Sequence, residues 1–396
     1  MRPGKHLFFC VVTAMMLSGP LLGRSTPLEV KFYPETLRPY ELDAMRNLSG
    51  VLLQNMVIAN GSEKEVRVEH VEMDLMAGNE VIQTHRLRRS ELEQAAKKGA
   101  MLEKNGLLER LSFQFRPDRL LGTGMTLSAQ LELKPRSGLL IGHRFFAFKG
   151  TADQITVRVS GIQVTDSTPV QVVGTIPIAA DRSKIEYLFP IAGQSFVGAG
   201  QALHHGHRWV VPEEFALDIL KLGEGSSSHR GDGSKRTDFY AYGTEVLAAA
   251  DGTVKMTQDG LLETDDNLRQ PGETPEKYFQ RLLSMQDSLI QKGALVAAGN
   301  YITIEHRPRE YSFYAHLLPG SLLVKQGEVV KAGQVIARLG HSGNSSEPHL
   351  HFHVVDGPDP LMSAGLPVHF KNVSLPYADG PREIQSGDIV EATSVR

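Results

Sequence analysis

The chain has 396 residues, a formal net charge of −3 and a hydrophobic content of 41%, with 22% charged residues. These values are typical of a folded soluble protein of two domains, and nothing in the charge balance indicates nucleic acid or an anionic membrane as a partner. The 38 glycines and 21 prolines indicate many turns and few long helices.

The first 25 residues have the features of an export signal. Basic residues precede an apolar run over residues 7–22, and the small residues Gly23 and Ser25 on either side of Arg24 offer a small-x-small cleavage site. An uncleaved anchor is the alternative, although the run is short and is interrupted at residues 18–20. We expect residues 1–25 to be a signal peptide and the mature protein to have no membrane attachment. The only cysteine, Cys10, lies in this segment, so any metal must be bound by His, Asp or Glu.

The pattern that follows predicts a β domain over residues 26–180. Apolar or alternating stretches bounded by turn signals favour an immunoglobulin-like β-sandwich. These stretches contain no titratable cluster, so we expect the domain to fold alone as a spacer or binding module without a part in catalysis. Residues 169–189 have little pattern and are expected to form a connector. The predicted strands cover residues 49–59, 66–75, 125–133 and 155–164, and residues 90–104 are predicted to form a helix.

A second, mostly β domain is predicted over residues 181–396. Short apolar strands are separated by glycine turns, and a polar insertion lies at about residues 255–299. Within the insertion, residues 274–291 fit a helix, with Thr274 as N-cap and Pro275 in the first turn. The predicted strands cover residues 246–248, 250–254, 300–306 and 312–316 and alternate with turns over 324–339.

Histidines are concentrated in this second half of the chain, which contains 11 of the 15. The stretch from residue 349 to 354 alternates strictly, so His349, His351 and His353 share one face of a strand. Three imidazoles on one face are costly unless they hold a metal, a proton or a substrate. Because neutral imidazole is a common zinc ligand, the pattern predicts a zinc site.

A zinc site of catalytic type needs a third protein ligand upstream, and two carboxylates are candidates. Asp218 lies among apolar residues at 215–219, where a carboxylate is costly unless it meets a cation. Asp238 is the alternative. Histidines that can join the carboxylate are found at 204, 205 and 207, with His229 further along.

Four sequence pieces in this region resemble the lysostaphin-type zinc endopeptidases, which cut peptide cross-links of bacterial peptidoglycan. The pieces are residues 243–254, 299–306, 314–317 (Tyr-Ala-His-Leu) and 340–352 (ending in His-Leu-His-Phe), within a similarity that extends from about 204 to 356. The resemblance implies an antiparallel β-sheet peptidase domain with Zn²⁺ on the floor of a groove.

Family roles carry over to the matching positions. In the His-x-His motif, the resemblance implies that His351 binds zinc and that His349 stays off the metal as a catalytic residue. His316, from the Tyr-Ala-His-Leu piece, is implied as the other catalytic histidine. His353 stands where the family usually has an acidic residue, and we interpret it as a residue that supports a ligand or lines the groove.

The first ligand pair departs from the family pattern. The usual His-x-x-x-Asp spacing fails because position 234, four residues before Asp238, is serine. A longer spacing, from His207 to Asp218, is similar to that of divergent members and makes His207, Asp218 and His351 the predicted zinc ligands. His205 and His229 stay open as alternatives to His207.

These observations predict an exported zinc metalloendopeptidase in the periplasm or extracellular envelope, with the peptide part of peptidoglycan as substrate and no nucleic acid partner. One alternative is an inactive family member that binds cell wall or regulates an amidase. Another is a peptidase that acts on a protein outside the wall. Retention of both His316 and His349 favours activity, because a scaffold would not need them.

Overall fold

The computed structural model describes residues 27–179, 183–200, 206–380 and 382–393. Within these residues the chain is mainly β, as the sequence predicts. The predicted signal peptide, Cys10, His204 and His205 lie outside them. No helix in the described part of the chain is both long and apolar enough to cross a membrane.

Residues 27–179, here called the N-terminal module, form two five-stranded sheets. Their strands are β1 (Leu28–Tyr33), β2 (Tyr40–Asp43), β3 (Leu48–Asn60), β4 (Val66–Ala77), β5 (Glu80–Arg86), β6 (Thr126–Leu127), β7 (Glu132–Leu133), β8 (Ser137–Lys149), β9 (Gln154–Gln163) and β10 (Pro169–Pro177). The first sheet has the order β1-β3-β8-β6, with β2 also on β3. The second has the order β10-β9-β4-β5, with β7 also on β4.

Both sheets bury side chains in one apolar core. Val51 and Leu53 of β3 belong to the same buried cluster as Val71 and Met73 of β4. Burial of apolar side chains between two layers is the main stabilising contribution in such a fold. Two layers with one core are what the sandwich prediction requires, and the immunoglobulin-like topology stays a prediction.

Two sequence predictions for this module are wrong in detail. Residues 125–133 do not form one strand, because β6 pairs with β8 in the first sheet and β7 pairs with β4 in the second. The turn between them is closed by the Ser128 hydroxyl, which donates to the Gln130 carbonyl at 2.8 Å. Residues 169–177 are a strand and not a connector. Prolines are tolerated at both ends of β10 because it is an edge strand.

Helices pack against one face of the first sheet. They are α1 (Arg89–Lys104), α2 (Leu107–Arg110), α3 (Ser112–Phe115) and α4 (Pro117–Leu120). The predicted helix 90–104 is observed as α1, and it buries Leu92 and Ala96 on one face. The three short helices were not predicted, because each is a single turn with too few residues to show a period.

Residues 183–393, the C-terminal module, are built on a nine-stranded sheet. The strands of this module are β11 (Gly193–Ala199), β12 (Leu217–Leu220), β13 (Glu245–Leu247), β14 (Gly252–Gln258), β15 (Asn300–Arg307), β16 (Glu310–Leu317), β17 (Val329–Val330), β18 (Val335–Arg338), β19 (Leu350–Val355), β20 (Val373–Ser374) and β21 (Ile389–Ala392). The order in the large sheet is β17-β14-β15-β16-β19-β12-β11-β21-β20, and β13 pairs with β18 separately.

The polar insertion of the C-terminal module contains α5 (Pro275–Gln291) and α6 (Ala294–Ala297). As predicted, Thr274 caps α5, and its hydroxyl accepts a hydrogen bond from the Lys277 amide at 3.4 Å. The predicted start at about 255 is too early, since residues 255–258 continue strand β14. No residue of α5 is fully buried, so this helix lies against the module without entering its core.

A buried ion pair lies where the two modules meet. Arg208 and Glu214 of the C-terminal module are 0% and 5% exposed, and their side chains approach to 3.4 Å. The Arg208 guanidinium stacks 3.2 Å from the ring centroid of Tyr40. Gln54 of β3 donates to the Arg208 carbonyl at 3.0 Å. The interface therefore includes charge that is removed from water and held by specific partners.

Arg208→Met should destabilise the protein strongly, because it leaves the Glu214 carboxylate buried without its cation. Removal of one partner from a buried pair typically costs about 3–5 kcal/mol. Urea unfolding in the presence of a chelator measures the effect without a contribution from metal. Adding Glu214→Gln to Arg208→Met should restore part of the loss. A free energy of unfolding for Arg208→Met within about 0.5 kcal/mol of the wild-type value would contradict the expectation.

Candidate metal centre

Asp218 and His351 are direct neighbours across two paired strands. Their Cα positions are register partners in the antiparallel pair of β12 and β19. Opposite residues in such a pair point to the same face of the sheet. The Asp218 Oδ1 atom lies 2.9 Å from His351 Nδ1. Strand pairing alone thus joins residues that are 133 positions apart in the chain.

His207 reaches the same point from a short 3₁₀ turn, Gly206–Trp209. Its Nε2 atom lies 3.5 Å from Asp218 Oδ2, and its ring is nearly perpendicular to that of His351, with centroids 5.0 Å apart. One ligand atom from each of His207, Asp218 and His351 lies within 4.8 Å of the others. Two imidazole nitrogens and one carboxylate oxygen are a donor set that suits zinc with one open position.

The charge state of Asp218 favours a cation at this point. Burial alone would raise the pKa of the Asp218 carboxyl, but His207, His349 and His351 outweigh burial and hold the pKa well below its usual value. The carboxylate is therefore ionised. A carboxylate that is only 17% exposed is stabilised by nearby positive charge, either from these imidazoles when they are protonated or from a metal ion between the three side chains.

His353 fixes the orientation of His351. The His353 Nδ1 atom lies 3.0 Å from His351 Nε2, and His353 Nε2 lies 3.2 Å from the carbonyl oxygen of Pro360. A carbonyl only accepts, so His353 donates from Nε2, and burial keeps the ring neutral by holding its pKa well below its usual value. His353 Nδ1 then accepts from His351 Nε2. In a neutral His351 ring this arrangement leaves the lone pair on Nδ1, the atom that lies 2.9 Å from Asp218, as metal binding requires.

His316 and His349 flank the three-residue group. The His316 Nδ1 atom donates to the Ser342 carbonyl at 2.8 Å, and His349 Nδ1 donates to the Glu347 carbonyl at 2.7 Å. A neutral ring that donates from Nδ1 has its lone pair on Nε2, and His349 Nε2 lies 3.5 Å from Asp218 Oδ1. Their centroids are 4.7 Å apart. His316 has a φ of 62°, a left-handed conformation that is uncommon for residues with a side chain and recurs at functional sites.

Burial keeps His316 uncharged. Removal from water, together with the nearby His349 and His351, holds its pKa well below the usual value. A neutral imidazole with a lone pair on Nε2 can take a proton, and once protonated it can give that proton back. The pair of His316 and His349 is thus suited to proton transfer next to the metal group.

Among the residues that the structure describes, the other candidates from the sequence are not brought to this group. Asp238 accepts a hydrogen bond from the Lys235 amide at 3.2 Å in its own turn. His229 packs against Phe239 and lines a different cleft. His205 lies outside the described residues. His306 is held by the Asp251 carbonyl and the Ser312 hydroxyl, which is a structural environment.

Sequence reasoning missed two residues at the group. The Glu213 carboxylate lies 3.9 Å from His207 Nε2, and burial raises its pKa. The sequence did contain a signal for Glu213, because it is an acidic residue in an apolar segment five residues before Asp218. Phe113, from α3 of the N-terminal module, lines the same cleft. No local pattern marks Phe113, because its role depends on how the modules dock.

The cleft over the group has a volume of about 420 Å³. His207, Asp218, His316, His349 and His351 line its floor. One wall is the apolar face of α5, where Phe279 and Leu283 line the cleft while 58% and 43% exposed. The cleft is therefore polar at the metal group and apolar along one side.

Comparison with known proteins identifies this part of the chain. The model of Peptidase family M23 matches residues 282–362, which include His316, His349 and His351. The peptidoglycan DD-endopeptidase ShyB of Vibrio cholerae is 45% identical over 73 residues, 18% of this chain and 17% of the relative. ShyA of the same organism is 36% identical over 81 residues, 20% of this chain and 17% of the relative. The chain thus spans about a sixth of the length of these curated relatives.

Two solved structures have a more distant likeness. A zinc-containing peptidase from Vibrio cholerae has a TM-score of 0.23 and 16% identity, with 86% of each chain covered. The catalytic domain of lysostaphin from Staphylococcus simulans has a TM-score of 0.24 and 18% identity, with 44% of this chain and 88% of that domain covered. TM-scores at this level are too low to support an inference.

Proposed function

Since residues 282–362 belong to Peptidase family M23, we propose that the protein is an exported zinc metalloendopeptidase that cleaves peptide bonds in peptidoglycan cross-links. We further propose the periplasm or the extracellular envelope as its location and His207, Asp218 and His351 as the zinc ligands. Relatives that bear the name peptidoglycan DD-endopeptidase support the substrate class.

One observation carries the proposal. The Asp218 carboxylate lies 2.9 Å from His351 Nδ1 and 3.5 Å from His207 Nε2. One carboxylate oxygen and two imidazole nitrogens within 4.8 Å of one another are a donor set that suits zinc with one open position. Zinc, when bound there, would lower the pKa of a water molecule and polarise the scissile carbonyl.

The chain's own residues supply the rest of the mechanism. His349 and His316 hold Nε2 lone pairs near the metal group, so one accepts a proton from the attacking water and returns it to the leaving amine. The protonated ring also stabilises negative charge on the carbonyl oxygen. His353 holds His351 in the tautomer that leaves Nδ1 unprotonated. The cleft between the sheet and α5 offers space for an extended peptide over the metal group.

Metal removal tests the proposed activity. Wild-type protein treated with a chelator should stop releasing soluble peptides from purified peptidoglycan, and added zinc should restore the release. Mass spectrometry of the products identifies the bond by the new amino group. Wild-type protein that holds zinc but opens no cross-link would contradict the proposed activity and favour the inactive, wall-binding or amidase-regulating alternative. Cleavage of soluble proteins but not of peptidoglycan would favour a peptidase that acts on a protein outside the wall.

A further inference from the structure

The segment between the two upstream ligand candidates touches the N-terminal module. Ten residues separate His207 from Asp218, and residues 208–216 are here called the ligand loop. The loop is anchored within the C-terminal module at its far end, where it enters β12 at Leu217. Its first half lies against the first sheet and the short helices of the N-terminal module. The long spacing therefore corresponds to a stretch that contacts another part of the fold.

Val211 of the ligand loop is a member of an apolar cluster that otherwise comes mainly from the N-terminal module. It is 0% exposed and packs in one cluster with side chains from β1, β3, α2 and α4. Burial of a valine side chain contributes roughly 1.5–3 kcal/mol. The members of this cluster in the N-terminal module include Tyr33, Val57, Leu108 and Leu120.

Gln114 of α3 holds the main chain on both sides of Val210. Its Nε2 atom donates to the Trp209 carbonyl, and its Oε1 atom accepts from the Val211 amide, both at 2.9 Å. Because a carbonyl accepts and an amide donates, only one orientation of the side chain satisfies both bonds. Gln114 is 7% exposed, so water does not readily replace these partners.

The hydrogen bonds that fix the ligand loop extend to His207. The Val210 amide, between the two groups that Gln114 binds, donates to the His207 carbonyl at 2.9 Å. Gln114 is itself fixed, since its own carbonyl accepts from Asn55 Nδ2 at 2.9 Å. A continuous set of hydrogen bonds thus runs from strand β3 through Gln114 to the turn that carries His207.

We propose that the N-terminal module is a structural part of the metal site and that Gln114 is a positioning residue for His207. The inference rests on the proposed role of His207 as a zinc ligand. Without the two hydrogen bonds from Gln114, the ligand loop would sample many conformations, and His207 would reach Asp218 and His351 in only a fraction of them. Zinc affinity then falls to that fraction of its full value, because only the ordered loop completes the site.

The test compares zinc affinity across full-length variants. Gln114→Met removes both hydrogen bonds at similar size, and Gln114→Glu keeps the acceptor but places a carboxylate against the Trp209 carbonyl. We expect both to weaken zinc binding about 10- to 100-fold, the range typical of residues that support a ligand. Competition with a chelator of known affinity measures the zinc Kd. The visible absorption of the cobalt-substituted protein reports ligand geometry and should change in both variants.

The control is Val157→Ala. Val157 is 0% exposed on β9 in the second sheet, so the change loosens the N-terminal module without touching the ligand loop. It should leave zinc affinity and the cobalt spectrum unchanged. A second variant, Val211→Ala, removes most of the valine side chain from the apolar cluster while Gln114 stays intact. It should also weaken zinc binding, and it serves as the test if either Gln114 variant fails to fold.

Three outcomes are distinguishable. Zinc affinity and cobalt spectra equal to wild type in the folded Gln114 and Val211 variants would overturn the positioning role. An equal loss in Val157→Ala would also overturn it, because the effect would then follow stability alone. Wild-type protein without measurable zinc affinity, or His351→Ala with unchanged affinity, would instead refute the proposed metal site.

Discussion

His351→Ala should lose zinc and hydrolysis together. The change removes one of three proposed ligands, and it also ends the chain of hydrogen bonds through which His353 orients the site. Two remaining ligands, His207 and Asp218, are too few for a stable catalytic zinc site, which typically has three. We expect the zinc content to fall from about one per chain to near zero. Metal analysis of the purified protein and peptide release from peptidoglycan are measured on the same samples.

His70→Ala is the matched control for this change. His70 is an exposed histidine on β4 of the N-terminal module, so its removal tests the loss of an imidazole away from the cleft. This variant should retain both zinc and activity. If His351→Ala kept stoichiometric zinc, the assignment of His351 as a ligand would be wrong, and the family role carried over from the His-x-His motif would fail with it.

His316→Ala and His349→Ala should separate catalysis from metal binding. Each removes an Nε2 lone pair near the group but leaves His207, Asp218 and His351 in place. Zinc should therefore remain at the wild-type level. Removal of a proton-transfer or oxyanion-stabilising residue typically lowers the rate on the order of 10² to 10⁴. We expect losses in that range in the turnover of purified peptidoglycan.

Zinc content measured in parallel decides how the result is interpreted. A variant with full zinc and unchanged turnover would remove the catalytic role of that histidine. A variant that lost zinc would show that the residue supports the metal instead. His306→Ala is a suitable control, because His306 lies in the same module but binds the Asp251 carbonyl and the Ser312 hydroxyl. It should keep both zinc and turnover.

Strand alternation explains why part of the site could be predicted from the sequence. A period of two is a local property, so it places His349, His351 and His353 on one face without knowledge of the fold. The apolar setting of Asp218 was equally local, and it indicated a carboxylate with a buried partner. Register pairing of β12 with β19 then brings Asp218 opposite His351.

The other parts of the site and the fold could not be predicted from the sequence, because they depend on contacts between residues that are distant in the chain. His207 could not be separated from His205 by pattern, because its position is set by a loop that packs on Gln54 and Gln114, more than 90 residues earlier. Phe113 was missed for the same reason, whereas Glu213 had a local signal, because it is an acidic residue in an apolar segment five residues before Asp218. The prediction of a connector over residues 169–189 was wrong for residues 169–177, because prolines at the ends of β10 resemble linker residues when the neighbouring strand is unknown.

The ligand loop makes the metal site and the junction between the modules one coupled equilibrium. If docking of the loop favours zinc binding, zinc binding must favour docking by the same free energy, since such coupling is reciprocal. Each tenfold difference in affinity corresponds to about 1.4 kcal/mol. A newly made chain without metal would therefore have its two modules more loosely joined, and the uptake of zinc would complete the maturation of the whole molecule.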